Sequence, residues 1–225
     1  MATNTNGGFM GHQVGKLGPS VGYVIDGFQF YRAYNSRVKN PRTVRQMVQR
    51  KKFSLLGKLG SVFKVAVNIG FMKHMAPLQS GLSMFVMRNF DKVGGSTPSE
   101  VTVDITTLQL SEGTLPQAGL GQAKATEALT VNVPMTDNSD LPGARDDDKV
   151  YIVVYQPDME LAILSSPFTR SSSMASVTVP SDWSGMDVHV YGFTQSVLDS
   201  TSEGMVVNST GETSKTSYLG SVSII

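Results

Sequence analysis

The spacing of apolar residues predicts helices in the first part of the chain. A helix should begin at Asn40-Pro41, because Asn is a favoured N-cap and Pro fits the first helical position. Thr43 and Gln46 form a capping-box pattern slightly later. Beyond this start, apolar residues recur at helical spacing, at Val44, Val48, Leu55, Leu59, Phe63 and Val67.

Two glycines interrupt this helical pattern. Gly57 and Gly60 each cost roughly 1 kcal/mol relative to Ala in a helix, so we expect a bend or break there. A second helix is predicted over residues 78–91, after the segment that ends at Pro77.

A β-hairpin is predicted before the helices. Asp26-Gly27 lies between two β-rich runs, and a type I′ turn needs two residues that tolerate positive φ. We therefore place strands near 20–25 and 28–34. An isolated hairpin is marginally stable in water, so its aromatic side chains should pack on something. We expect these side chains to form one aromatic face, which comprises Tyr23, Phe28, Phe30 and Tyr31.

The pattern changes after the Gly- and Pro-containing segment 94–98. Residues 101–110 alternate between apolar and polar, which is typical of a half-buried strand. Short strands at regular spacing indicate an antiparallel sandwich of immunoglobulin or fibronectin type. Its further strands are predicted at about 128–134, 149–156, 159–165, 174–179, 186–193 and 216–224, with Trp183, Tyr151, Tyr155 and Tyr191 as large core or edge residues.

The predicted fold class is thus α+β, with an N-terminal hairpin and basic helices followed by an immunoglobulin-like β-sandwich. Residues 1–19, which are rich in Gly and polar side chains, are expected to form a flexible or partner-held arm. The hairpin and basic helices would occupy residues 20–93, and the sandwich would occupy residues 99–225.

Composition excludes several classes of protein. With 225 residues and 40% apolar content the chain can bury a substantial core, and without cysteine it can use neither thiol catalysis nor Cys-ligated zinc. No stretch approaches the roughly 18 apolar residues of a membrane span. The N-terminus lacks the pattern of a classical signal peptide. We expect synthesis in the cytoplasm, and a place in the virion if a phage encodes the protein.

The net charge of +1 conceals a strong division. Residues 1–92 contain fourteen Lys or Arg residues against two acids, a net charge of +12, whereas residues 93–225 have a net charge of −11. Such asymmetry suggests that each part has its own partner, or that the basic part of one copy binds the acidic part of a neighbouring copy.

The basic segment is the main candidate interaction site. Its cations could contact phosphates without reading bases, could bind an acidic protein surface, or could form a solvated helix face. The sequence leaves these three interpretations open. The residues are Arg37, Lys39, Arg42, Arg45, Arg50, Lys51, Lys52 and Lys58.

Motifs that could support chemistry are weak. Ser20 lies in a Gly-x-Ser-x-Gly pattern, but a hydrolase elbow needs a strand-to-helix turn, and here a hairpin follows. His12, His74 and His189 have no neighbours at metal-ligand spacing. The acidic segment 137–148 does not match the EF-hand pattern, so a solvated turn is its simpler interpretation. Asn208 fits a glycosylation acceptor, although no secretory signal accompanies it. We predict no catalytic, cofactor or metal residues.

Taken in order along the chain, several segments resemble an uncharacterised family of roughly 200-residue proteins, a domain of unknown function abundant in Bacteroidetes and their phages. Asp26 and Met135 depart from the pattern, since relatives usually place a basic residue and an aromatic residue there. The resemblance implies no activity and no catalytic residues. The matching segments are Gly-Lys-Leu-Gly-Pro-Ser-Val-Gly-Tyr at 15–23, residues 40–43 with Gln46, Gln49, Arg50 and Phe53, then 108–116, Thr-Asp-Asn-Ser at 136–139, 153–157 and 217–220.

These observations favour a non-enzymatic structural or assembly protein, a phage virion or prophage component that acts through copies of itself and other assembly proteins. One alternative is a sequence-independent nucleic-acid-binding protein that uses segment 37–64. A second alternative is a surface adhesion or carbohydrate-binding module built on the sandwich.

Overall fold

The computed structural model describes residues 3–5, 11–37, 40–75, 79–197 and 211–225. The chain divides into two compact units, Met1–Gln46 and Met47–Ile225, which we call the N-terminal and the C-terminal unit. Between its described helices and strands lie four short 3-10 turns, at Met72–His74, Phe90–Lys92, Ile105–Thr107 and Ser181–Trp183.

The N-terminal unit contains one antiparallel sheet, in the order β1-β2-β3-β4. Its strands are β1 (Thr3–Thr5), β2 (His12–Leu17), β3 (Ser20–Ile25) and β4 (Phe28–Ala33). The predicted hairpin is confirmed: Asp26 and Gly27 have φ values of 48° and 82°, as the two positions of its turn require. Strands β1 and β2 lie within residues 1–19, where the sequence indicated no strand.

In the part of the chain that the structure describes, three helices follow, α1 (Val44–Val62), α2 (Lys64–Gly70) and α3 (Gly81–Asn89). Helix α1 begins at Val44 rather than at Asn40-Pro41, and the Thr43 hydroxyl accepts a hydrogen bond from the Gln46 amide at 3.4 Å. The capping-box pattern therefore marks the start better than the Asn-Pro pair. Within the described residues, no single helix is long and apolar enough to cross a membrane; α1 and α2 meet that test only together, with an 88° bend between them.

The helix does not break at Gly57 or Gly60, because α1 continues through both residues to Val62, and the 88° change of direction follows three residues after Gly60. A Cβ on Gly60 would lie 2.4 Å from Leu82 Cδ1 and 2.9 Å from Phe85 Cδ1. Gly60 therefore permits the close approach of α3 to α1. The chain changes direction at Phe63 instead.

The described residues of the C-terminal unit form two larger antiparallel sheets and one small strand pair. The central sheet has the order β11-β10-β14-β15, with β12 paired to β10; the second sheet has the order β13-β9-β7, with β8 paired to β9. The strands are β5 (Val93–Gly94), β6 (Thr102–Val103), β7 (Gly119–Leu120), β8 (Lys124–Glu127), β9 (Thr130–Thr136), β10 (Lys149–Gln156), β11 (Leu161–Leu164), β12 (Phe168–Thr169), β13 (Met174–Thr178), β14 (Asp187–Gln195) and β15 (Ser217–Ser223).

The strand predicted over residues 101–110 is largely wrong, since only Thr102–Val103 pairs, with β5. The Asp104 carboxylate accepts hydrogen bonds from the Thr106 amide and hydroxyl, which stabilises a 3-10 turn at Ile105–Thr107. Leu108 and Leu110 are buried without joining a ladder. The alternating pattern therefore reflects one-sided burial of an irregular segment.

Both faces of the central sheet are buried. In β10, Tyr151, Val153 and Tyr155 belong to a core shared with the helices. The alternate residues Val150, Ile152 and Val154 belong to a second core shared with the other sheet. This double burial explains the continuous apolar run of β10. The fold is α+β, as predicted. In the C-terminal unit, the helices that precede segment 94–98 and the strands that follow it pack in the same core.

Candidate interaction surfaces

Two of the predicted basic side chains have partners in the C-terminal unit. Lys52 Nζ donates a hydrogen bond to the Val93 carbonyl oxygen at 2.5 Å, and Lys58 Nζ lies 2.5 Å from Glu160 Oε1. Lys39 lies outside the described residues. The other five side chains, Arg37, Arg42 and Arg45 in the N-terminal unit and Arg50 and Lys51 in the C-terminal unit, are exposed.

One face of the N-terminal sheet is apolar. The register pairs Ile25 with Phe28, Tyr23 with Phe30 and Val21 with Arg32. Since side chains alternate between the two faces of a strand, these residues lie on one face. Lys16 joins this face opposite Val21. The apolar face, as we name it, comprises Val21, Tyr23, Ile25, Phe28 and Phe30, with Lys16 and Arg32 at one end.

The opposite face of the sheet is more polar. The Gln29 side chain accepts a hydrogen bond from the Gln13 amide at 2.8 Å and donates one to the Gln13 carbonyl at 2.9 Å. Gly22 allows this close approach of Gln13, because a Cβ at position 22 would lie only 2.3 Å from the Gln13 carbonyl oxygen and would clash with it. Tyr31 is opposite Gly22 and so lies on this face, which corrects the prediction that it belongs with Phe28 and Phe30.

Among its described residues, the N-terminal sheet forms no buried hydrophobic core. None of the hydrophobic side chains described in this unit is buried, and the exposed fraction reaches 65% for Phe28 and 56% for Tyr31. The Tyr23 and Phe30 rings stack at 5.7 Å, but both remain partly exposed. A sheet needs a buried hydrophobic face for independent stability, and the described residues of this sheet do not supply one.

A second apolar surface lies between α1 and α3 in the C-terminal unit. It is a groove of about 640 Å³. Two of its apolar side chains, Phe53 and Met87, are 57% and 51% exposed, and the centroid of the Phe53 ring lies 5.0 Å from that of the Phe90 ring. Phe53 lies outside the stripe that the sequence indicated, so periodicity alone did not find this groove.

A polar cavity of about 390 Å³ lies beside α3. Arg88 Nε donates to Glu112 at 2.6 Å, and Lys92 Nζ donates to the Thr107 carbonyl at 2.7 Å. Burial lowers the pKa of Lys92. These contacts attach the end of α3 to segment 105–112.

The weak catalytic motifs have structural explanations. Ser20 begins β3 after a turn in which Gly18 has a φ of 56°, so the Gly-x-Ser-x-Gly pattern joins two strands. His189 Nδ1 lies 2.8 Å from the Tyr218 hydroxyl, and burial lowers the pKa of His189. His74 Nε2 lies 3.5 Å from Glu212. Across the described ranges, no group of three or more His, Asp or Glu side chains could hold a metal ion. Asn208 lies outside those ranges.

The acidic segment 137–148 contributes to a buried polar cluster. Asp148 and Arg170 are both fully buried, and Arg170 Nη2 lies 3.0 Å from Asp148 Oδ2. The remaining Arg170 donors bond to the carbonyl oxygens of Pro116 and Gln117 and to Asn138 Oδ1. The guanidinium therefore joins three segments that are distant in sequence. Two of these acceptors, Pro116 and Asn138, lie in segments that carry the family resemblance.

Comparison with known protein families gives a match that covers most of the chain. A family described as a family of unknown function (DUF6266) matches residues 11–210, which confirms the resemblance to an uncharacterised domain family. No curated protein and no solved structure matches the chain.

Proposed function

We propose that this protein, which belongs to the DUF6266 family of unknown function, is a non-enzymatic structural protein of a phage or prophage particle. It assembles with copies of itself and with other assembly proteins. The observation that carries the proposal is the N-terminal sheet, whose described hydrophobic side chains all remain at least partly exposed. A contact with another protein surface would supply the burial that such a sheet needs.

We further propose that the two larger sheets form an immunoglobulin-like sandwich. Two features support it: both sheets are antiparallel, and they share a core that includes Trp183 and residues from β9, β10 and β14. The helices cover the other face of the central sheet. The second sheet and the N-terminal unit would then be the surfaces that are offered to partners.

Self-association is the first test. Size-exclusion chromatography with light scattering on the full chain should give a mass above that of one chain, rising with concentration. The exposed apolar side chains drive this association, so it should persist at moderate salt. A mass of one chain at every concentration up to about 1 mM, the limit of weak specific association, would contradict the proposal.

Nucleic-acid binding is the second candidate function, and the exposed basic side chains favour it. Arg42→Glu with Arg45→Glu should weaken binding to generic duplex DNA at low salt by about tenfold or more, because phosphate contacts release counterions. An electrophoretic shift measures this effect. The matched control is Lys124→Glu with Lys149→Glu, which changes the net charge equally at two exposed positions of the β-rich part. Absence of any shift with the unmodified protein rejects this candidate.

A further inference from the structure

The side chains of the apolar face lie in three rows across the strands, and this arrangement identifies a surface that can cover them. Its first row contains Lys16, Val21 and Arg32, its second Tyr23 and Phe30, and its third Ile25 with Phe28. Asp26 lies at the turn just beyond the third row. Four residues, or about 13 Å, separate the first row from the third. The face is therefore cationic at one end, apolar in the middle and acidic at the other end.

This arrangement is complementary to itself. In this interface a two-fold axis lies at right angles to the strands and crosses the Tyr23–Phe30 row. Rotation about this axis brings the turn of one copy over the first row of the other copy. Asp26 of each copy then faces Arg32 of its mate. The same rotation lays the Tyr23 and Phe30 rings of the two copies against each other, and it covers Ile25 and Phe28. Two-fold interfaces are built from such self-complementary patches.

We propose that the apolar face of the N-terminal sheet binds the same face of a second copy of this chain, giving a two-fold symmetric dimer held by a sheet-on-sheet core. The proposal rests on the assembly function proposed above and names the partner of that surface. The burial that the sheet lacks in one chain comes from facing sheets, which pack about 10 Å apart. The two Asp26–Arg32 pairs set the direction of the packing.

Sedimentation equilibrium on the full chain tests the apolar contact. Phe28→Lys should weaken dimerisation at least about tenfold, since it removes an apolar ring from the contact and places a cation opposite Arg32 of the other copy. Tyr31→Lys is the matched control, because Tyr31 lies on the same strand with similar exposure but on the opposite face. It should leave the dimerisation constant unchanged. Both residues are exposed, so circular dichroism should show both variants folded.

A charge exchange tests the two-fold geometry. Arg32→Glu should weaken dimerisation about tenfold, because each dimer contains the pair twice. The double variant Asp26→Lys with Arg32→Glu should dimerise more tightly than the single variant Asp26→Lys. That comparison separates pairing from any effect of lysine on the turn.

Each outcome has one meaning. This interface is overturned, and the assembly function left standing, by association that responds equally to Phe28→Lys and Tyr31→Lys or that responds to neither. The same holds if the charge exchange restores no binding. Dissociation by Met87→Glu alone would place the contact at the groove between α1 and α3 and would also overturn it. A single-chain mass for the unmodified protein rejects both this interface and the proposed function.

Discussion

Replacement of Arg170 by Met is expected to lower the free energy of unfolding by about 3–5 kcal/mol. The substitution leaves the fully buried Asp148 carboxylate without its cationic partner. It also removes the donors to Pro116 and Gln117 and to the Asn138 side chain. A buried charge that loses its partner costs far more than an exposed one, because water cannot replace the lost contacts.

Urea unfolding, followed by fluorescence of Trp183, measures this loss. Arg88→Met is the matched control: its partner Glu112 lies at a similar distance, but the two side chains are 41% and 25% exposed. That variant should lose no more than about 1 kcal/mol. The double variant Asp148→Leu with Arg170→Met should be more stable than Arg170→Met alone, since no unpaired charge remains. Equal losses for Arg170→Met and Arg88→Met would contradict the structural role assigned to the buried pair.

Phe63→Ala should have a comparable effect, about 3–5 kcal/mol. Phe63 is 1% exposed, and its ring contacts Tyr155 at 4.9 Å and Tyr191 at 6.0 Å. It also lies against Phe85 of α3. Removing the ring leaves a cavity where the helices meet the central sheet, and relaxation of the rigid sheet can fill it only in part.

Thermal and urea unfolding measure this second effect. Phe53→Ala provides the control from the same helical region, because Phe53 is 57% exposed and its loss should cost less than about 1 kcal/mol. A small effect of Phe63→Ala would show that the helices do not depend on the sheet for their packing.

The features that the sequence predicted well depend on neighbouring residues. Asp26-Gly27 specifies its turn through the φ values that it tolerates, so the hairpin could be predicted from two residues. The long strands β9, β10, β13, β14 and β15 were predicted to within a few residues, because their apolar runs are bounded by turn-forming segments. The α+β class follows from these elements.

The features that the sequence missed depend on distant partners. Gly60 was interpreted as a weak point of α1, but its small size accommodates Leu82 and Phe85 of α3. Residues 101–110 alternate like a strand, yet one-sided burial produces the same pattern without a ladder. In the candidate site, Lys52 and Lys58 resembled the other cations until the structure showed their partners Val93 and Glu160.

By itself, the sequence determined the helical and β-rich parts, the Asp26-Gly27 hairpin and the opposed charges of the two parts, because turn preferences, periodicity and charge are properties of adjacent residues. Only the tertiary structure decided that the central sheet is buried on both faces, that Arg170 is an interior residue, and that the described side chains of the apolar face all stay at least partly exposed. Burial depends on what packs against a residue, and those partners lie tens of residues away in the chain.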